Sequence, residues 1–420
     1  MSQTKLKKAE YPLSWEIKDD AMHVTLSPQM SNSLVLAQEG TRICVADLGR
    51  SGVKITDVAV DPETGIVTII IRKITSHLTE VPAEKLVKAT GFFKQQKTSA
   101  KKICFKATDD KGVTKTYAVG ERAASLGGAA GLNQAKTVDM DKRLMGVMTA
   151  LGIFSGEIAL GVQIPFASGK QFQGESEKAQ HLVKDGLRWE LENKPRQLTL
   201  QDDNLRVAPE DYYSEYLTWE LKYDRAGNEY PCWQGMGRLI VGLGFQTTNI
   251  GVIDEDDAFD PMLSQSIQFG VNQFYKYCAE PMGNNVNFED PKFIELINSI
   301  ATISPADEPP FETSIQVPGQ AKPLEFGELK GFVESAKNSF FAELMAKLGL
   351  SSDFDSSSSK ATDIASLFAA YGRFSVVGGG AYLFGDRLIE TLDNFEGFVC
   401  PLPDVASALG MTLAVARGEF

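Results

Sequence analysis

The sequence predicts an α/β protein made of two related domains, and three observations carry that prediction. Its 420 residues exceed what one hydrophobic core usually organises. A strand, a glycine-rich turn and a second strand occur at residues 42–56 (RICVADLGRSGVKIT) and again at residues 238–253 (RLIVGLGFQTTNIGVI), about one domain apart. Around them, short β-branched runs alternate with segments of helical period.

Composition narrows the function classes. With 43% hydrophobic and 23% charged residues, the chain has ordinary globular composition. A net charge of −13 opposes broad adhesion to nucleic acid or anionic lipid, both of which repel added negative charge. The five cysteines (Cys44, Cys104, Cys232, Cys278, Cys400) are scattered without metal-ligand spacing and read as free thiols of a reducing compartment. Only three histidines are present (His23, His77, His181), which weighs against a multi-histidine metal centre or a histidine-driven hydrolase. No apolar run reaches membrane-spanning length and the N-terminus lacks a signal-peptide core, so a cytoplasmic protein without membrane contact is expected.

Residues 1–40 open with Lys5, Lys7 and Lys8 and hold one short alternating run, MHVTL, which fits a hairpin and an extended docking arm equally. Apolar runs at 43–46, 53–60 and 66–72 are joined by LGRSG and DPETG. Such loops are too short for a parallel crossover, so the three strands form an antiparallel meander. A Rossmann start would follow its glycines with a helix, and a P-loop would open a helix at its lysine; neither holds here. Residues 141–154 place Leu144, Val147, Met148 and Leu151 at helical spacing, a stripe that faces a core. Residues 158–165 (IALGVQIP) read as a buried strand, 175–192 as an amphipathic segment, and 210–219 as a helix whose first turn is acidic. After the second glycine turn, the acids at 255–257 read as solvated surface and 264–280 as a helix. A strongly amphipathic helix is expected over 324–350. Then a strand at 374–377 enters three glycines, a helix follows at 386–392, and the chain closes in a small-residue helix.

The glycine elements suit the parts of a nucleotide. In the first turn Gly49, Arg50, Ser51 and Gly52 can turn backbone N–H groups inward as a nest for phosphate oxygens. Lys54 adds a point charge to the same phosphates, and Asp47 can hold Mg²⁺ through water. Gly244, Phe245, Gln246, Thr247 and Thr248 form a second turn of this kind, and Gly378, Gly379 and Gly380 let a flat ligand lie against backbone. Each stretch taken alone is also compatible with an ordinary tight turn.

In this order and spacing the elements resemble the actin-like ATPase superfamily, whose relatives include sugar kinases and chaperone ATPases. Asp47-x-Gly49 through Lys54 looks like its first phosphate hairpin, and Gly244-x-x-Thr247-Thr248 like its second. Gly378-Gly379-Gly380-Ala381 looks like its adenosine motif, and Ala406-x-Ala408-x-Gly410 like its connecting helix. The stretches VGERA, VAPED and VVGGGAYL bring the resemblance closest to ParM-type bacterial actins, the plasmid-segregation filaments. The resemblance implies an actin-like fold of two related α/β domains that hold ATP and Mg²⁺. It makes Asp47 the catalytic residue, positioning Mg²⁺ and its waters, and it implies head-to-tail self-assembly. With a chain this acidic, the link to DNA is expected to run through a basic adaptor protein, or through the lysine-rich stretch 94–102. The expected domains are an extension at 1–40, a first domain at 41–157 to which 398–420 returns, and a second at 158–397.

Two departures bear on hydrolysis. Gly242 stands where the family places an aspartate, and Asn249 replaces the second acid of that turn. Ile164-Pro165 is followed by FASGKQ, without the acid that orients the attacking water in the ParM-type pattern. Ser168 or Gln171 are then the hydrogen-bonding candidates for that water, and neither is a comparable base. Slow ATP hydrolysis is the expectation. A nucleotide-binding scaffold with little turnover is the alternative, and a small-molecule kinase of the same superfamily ranks below both.

Overall fold

The computed structural model describes residues 12–49, 52–82, 103–108, 112–126, 138–164, 169–229, 233–350 and 359–419. The chain forms two compact units, one of Met1–Cys232 with Val405–Phe420, the other of Trp233–Asp404.

Unit 1 begins with a hairpin, β1 (Leu13–Lys18) and β2 (Ala21–Leu26), joined at Asp19 and Asp20. Both turn residues have positive φ, as a two-residue turn matched to strand twist requires. Of the two forms open for the N-terminal residues, the hairpin is the one formed over 13–26. Short helices α1 (Pro28–Asn32) and α2 (Val35–Gln38) lead into the expected meander of β3 (Arg42–Asp47), β4 (Gly52–Val60) and β5 (Val67–Thr75). After β6 (Leu78–Glu80), β7 (Ile103–Thr108), β8 (Thr114–Val119) and α3 (Glu121–Ser125) comes α4 (Met140–Leu151). Its Leu144, Val147 and Met148 are fully buried, as their spacing predicts. Strand β9 (Ser155–Ile164), α5 (Gly169–Val183), β10 (Leu187–Leu191), β11 (Lys194–Pro209) and α6 (Ser214–Leu221) complete this stretch.

Among the described residues eleven strands form one sheet, in the order β1-β2-β5-β4-β3-β9-β11-β10-β7-β8-β6. Its centre is the meander plus two parallel strands, since β9 runs parallel to β3 and β11 parallel to β9.

Unit 2 repeats that centre with less around it. β12 (Arg238–Leu243), β13 (Thr248–Ile253) and β14 (Gln265–Ile267) form an antiparallel meander. Helices α7 (Asn272–Ala279) and α8 (Pro291–Ala301), the small pair β15 (Ser314–Ile315) and β16 (Leu324–Glu325), α9 (Phe326–Lys347) and α10 (Ser359–Tyr371) follow. Then come β17 (Arg373–Val377), α11 (Ala381–Thr391) and β18 (Glu396–Val399), with β17 parallel to β12 and β18 parallel to β17. The order is β14-β13-β12-β17-β18. Counted along each unit's five shared strands, both sheets run third, second, first, fourth, fifth. Phe274, Phe340 and Phe384 pack together in this unit's core, the last two with ring centroids 4.4 Å apart.

The final helix, α12 (Ala406–Arg417), returns to unit 1 and is buried along almost its whole length. It lies against α6 so closely that a Cβ on Gly410 would sit 1.8 Å from the Tyr213 carbonyl oxygen. The Thr412 and Thr56 hydroxyls meet at 2.8 Å beneath it, and Arg417 forks onto both oxygens of Glu220 at 2.7 and 2.8 Å.

Three sequence expectations meet a different structure. The compact units divide after Cys232 and Asp404, whereas the expected boundaries were 157/158 and 397/398. The cause is the parallel pairing of β9 and β11 beside β3, which draws residues 155–209 into the first sheet. Within 264–280 the helix is confined to α7, because β13 takes β14 as its third strand and Ser264 Oγ accepts the Val252 N–H. Asp257 is more than solvated surface: it pairs at 2.7 Å with Arg238, whose side chain is buried.

Candidate functional site

In unit 1 the candidate residues lie at the carboxyl ends of parallel strands, where α/β sheets generally bind ligands. Asp47 is the last residue of β3 and Lys54 lies opposite it in register on β4. Lys54 Nζ donates to Asp47 Oδ2 at 2.6 Å, and both side chains are mostly buried. On the other side of β3, Gln163 of β9 is the register partner of Asp47. Register partners in neighbouring strands project to the same sheet face, so Lys54, Asp47 and Gln163 form one row across three strands.

Gln163 was not singled out by the sequence reading. It is fully buried, and its Nε2 donates to the Ser407 hydroxyl at 2.8 Å and to the Ser407 carbonyl oxygen at 3.0 Å. Its Oε1 has no hydrogen-bond partner among the described residues. A buried unsatisfied acceptor costs about 1–3 kcal/mol, so this oxygen is suited to take a hydrogen bond from a water or a ligand. The signal available in the sequence was a single amide in an otherwise apolar strand, IALGVQIP.

In unit 2 the turn after β12 is held by backbone. The Gly244 N–H donates to the Thr247 carbonyl at 2.9 Å, while the Gly244 and Phe245 carbonyls accept from Val271 and Asn272 at the start of α7. Thr248 Oγ1 donates to the Phe269 carbonyl at 2.7 Å, and Asn249 Oδ1 accepts from Ser266 Oγ at 2.8 Å. Burial pushes Tyr275, whose ring lies 6.1 Å from that of Phe245, up to about 12, so it stays a neutral donor to Asn298.

The glycine triplet joins this turn. The Gly380 N–H donates to the Leu243 carbonyl at 3.0 Å, and the Gly378 N–H to the Pro403 carbonyl at 2.8 Å. The three glycines are not equivalent. Gly378 has φ +86°, and a Cβ on it would meet the Leu243 oxygen at 2.6 Å; a Cβ on Gly380 would meet Val271 at 2.4 Å. These two are glycine for packing. Gly379 has nothing within 4 Å of a Cβ, which leaves its face open to a ligand.

The structure thus gathers Asp47, Gly49, Gly52 and Lys54 at the end of β3, and Gly244–Thr248 with Gly378–Gly380 at the end of β12. Arg50 and Ser51, the stretch 94–102, and Ser168 with the residues just after Ile164 lie outside the described residues. Gln171 is exposed on α5.

Among the described residues no three His, Cys, Asp or Glu side chains gather as a metal-binding group. Mg²⁺ keeps several of its waters and needs only one or two protein oxygens beside a nucleotide's phosphates. The Asp47 carboxylate and the unsatisfied Gln163 oxygen fit that kind of hydrated ion. Among the described residues no helix is long and apolar enough to cross a membrane.

No protein-family model matches this chain, and no curated protein matches it in sequence. Solved structures match in fold. A 15-stranded ParM filament from Clostridium botulinum is 16% identical, with 90% of this chain and 99% of that one covered and a TM-score of 0.55. Bacillus thuringiensis ParM with ATP is 13% identical, covering 90% and 98%, TM-score 0.57. The archaeal actin homolog Ta0583 in complex with ADP is 18% identical, covering 90% and 100%, TM-score 0.54. Together with the five-strand order repeated in both units, these likenesses establish that the chain has the actin-like ATPase fold.

Proposed function

We propose that this chain is a cytoplasmic ParM-like actin that binds ATP with Mg²⁺, polymerises head-to-tail and hydrolyses its nucleotide slowly. The observation that carries the reading is the row Lys54–Asp47–Gln163 on one sheet face at the carboxyl ends of β3 and β9. Lys54 brings positive charge to phosphate oxygens, and the turn at Gly49 and Gly52 brings backbone N–H groups. When bound, Mg²⁺ would supply neutralising charge across the phosphates; Asp47 is the residue that would hold it, through water. Gln163 Oε1 accepts a hydrogen bond from a water and fixes its direction without removing its proton. Phosphoryl transfer depends on positioning and electrostatics, so an amide suffices for a slow reaction of ATP and water to ADP and phosphate. In unit 2, the turn at Gly244–Thr248 offers backbone N–H groups of the same kind and Gly379 an open face.

Filament assembly is supported by the fold neighbour that is itself a filament, and it needs only a heterologous interface that does not close. Segregation of plasmid or other DNA is the purpose we assign to it. At −13 net charge the chain would reach DNA through a separate basic adaptor. Right-angle light scattering with phosphate release followed in the same cuvette tests the reading. Scattering that rises above a critical concentration of protein with Mg–ATP, then decays as phosphate appears, is the expected result. No rise with bound nucleotide rejects it.

A second reading, a nucleotide-binding scaffold without turnover, is favoured by one observation: the equivalent row in unit 2 is Asn249–Gly242–Val377 and carries no ionisable group. A stable scattering rise without phosphate would select it.

A further inference from the structure

We propose that Ser407 is a positioning residue for hydrolysis, acting through Gln163; the inference rests on the hydrolysis reading above. A carboxamide has two ends of similar shape and opposite hydrogen-bonding character, and only its oxygen can accept from a water. Ser407 settles which end faces inward to α12. Its backbone carbonyl, 3.0 Å from the Gln163 amide, can only accept, so the –NH₂ end must face it. The Ser407 hydroxyl, 2.8 Å from the same nitrogen, accepts there as well. With Nε2 committed twice, Oε1 is the end left over on the sheet face shared with Asp47, and it is the atom without a partner among the described residues.

The clamp comes from the far end of the chain. Gln163 and Ser407 are separated by 244 residues, yet both lie in unit 1, where the first turn of α12 meets β9. Both side chains are buried, so solvent does not offer the amide an alternative donor or acceptor. Without the hydroxyl, the amide keeps one of its two contacts and gains freedom to turn its oxygen away.

The test uses the full chain, Ser407→Ala, Ser407→Thr, Gln163→Ala and the double variant Ser407→Ala with Gln163→Ala. Loss of one hydrogen bond predicts a roughly fivefold to tenfold fall in kcat for Ser407→Ala. Nucleotide affinity stays unchanged, and Ser407→Thr, which keeps the hydroxyl, restores the rate. In the Gln163→Ala background, Ser407→Ala has no further effect. A fall of the same size in that background would overturn the proposal, because Ser407 would then act by packing α12. A readout independent of turnover is the Gln163 side-chain amide in protein labelled with ¹⁵N-glutamine, assigned by its loss in Gln163→Ala. The pair is expected to exchange slowly with solvent in the wild type and faster in Ser407→Ala; equal exchange in both overturns the clamp. A wild type that binds ATP and never releases phosphate defeats the hydrolysis reading and the catalytic purpose of the clamp, and the amide readout still decides whether the clamp exists.

Discussion

The turn after the first strand of each unit's shared sheet has the same length, and the two turns are built by opposite means. Asp47 and Lys54 face each other in register across the first, as Gly242 and Asn249 do across the second. The next strand adds Gln163 to the first row and Val377 to the second. One row therefore holds a carboxylate, an ammonium and an oriented amide, while the other has only Asn249, whose oxygen accepts from Ser266. The second turn is fixed instead by its backbone, through Val271 and Asn272 of α7 and through the glycine triplet. A repeated topology thus puts two turns in equivalent places without making them equivalent in chemistry. The first can act on charge with side chains, while the second row holds no ionisable group and its turn is fixed by backbone.

The sharpest way to break this comparison is to remove the charge from the first row. Asp47→Asn keeps the shape of the side chain and deletes its charge, so we expect phosphate release to fall by roughly 100-fold or more. Unchanged release would place the chemistry outside the row and make the two turns equals after all.

The glycine triplet separates ligand contact from packing within unit 2. Gly379→Asp puts a negative charge on the open face beside a polyanion, and affinity for Mg–ATP measured by titration calorimetry should drop about 30-fold or more, at unchanged Tm. Gly378→Ala should do the reverse. At φ +86°, with the Leu243 oxygen 2.6 Å from its Cβ, it should cost roughly 1–3 kcal/mol of stability seen as a lowered Tm. Normal ATP affinity in Gly379→Asp would remove the adenosine assignment from this turn.

What could be read from the sequence follows the range of the interactions involved. Both hairpins and the glycine triplet were legible because turn chemistry is local: Gly49, Gly244 and Gly378 declare themselves within a few residues. The helical stripe of Leu144, Val147 and Met148 was legible for the same reason. The division between units was not, because it depends on β9 and β11 joining β3 in parallel, a pairing that no local pattern announces. Gln163 was missed on similar grounds. In IALGVQIP it is one polar residue in a buried strand, and its meaning comes from Asp47, 116 positions earlier in the register pairing, and from Ser407, 244 residues later. The expected helix at 264–280 failed where the sheet's demand for a third strand overrode the local pattern at β14.

The smallest expected effect sharpens the comparison by making the second row more like the first. Gly242 lies within β12 without a positive φ, so a side chain there needs no unusual backbone. Gly242→Asp places a carboxylate in register with Asn249, as Asp47 stands to Lys54. The site is buried, so the charge will lower Tm in the absence of ligand. If the neutral second row is what slows hydrolysis, steady-state phosphate release at saturating Mg–ATP should rise about fivefold, a gain of roughly 1 kcal/mol in transition-state stabilisation. A variant that binds nucleotide normally and releases phosphate no faster would show that the second row has no part in setting the rate. The limit would then lie in the first row itself, where the group proposed to position water is an amide and not a base.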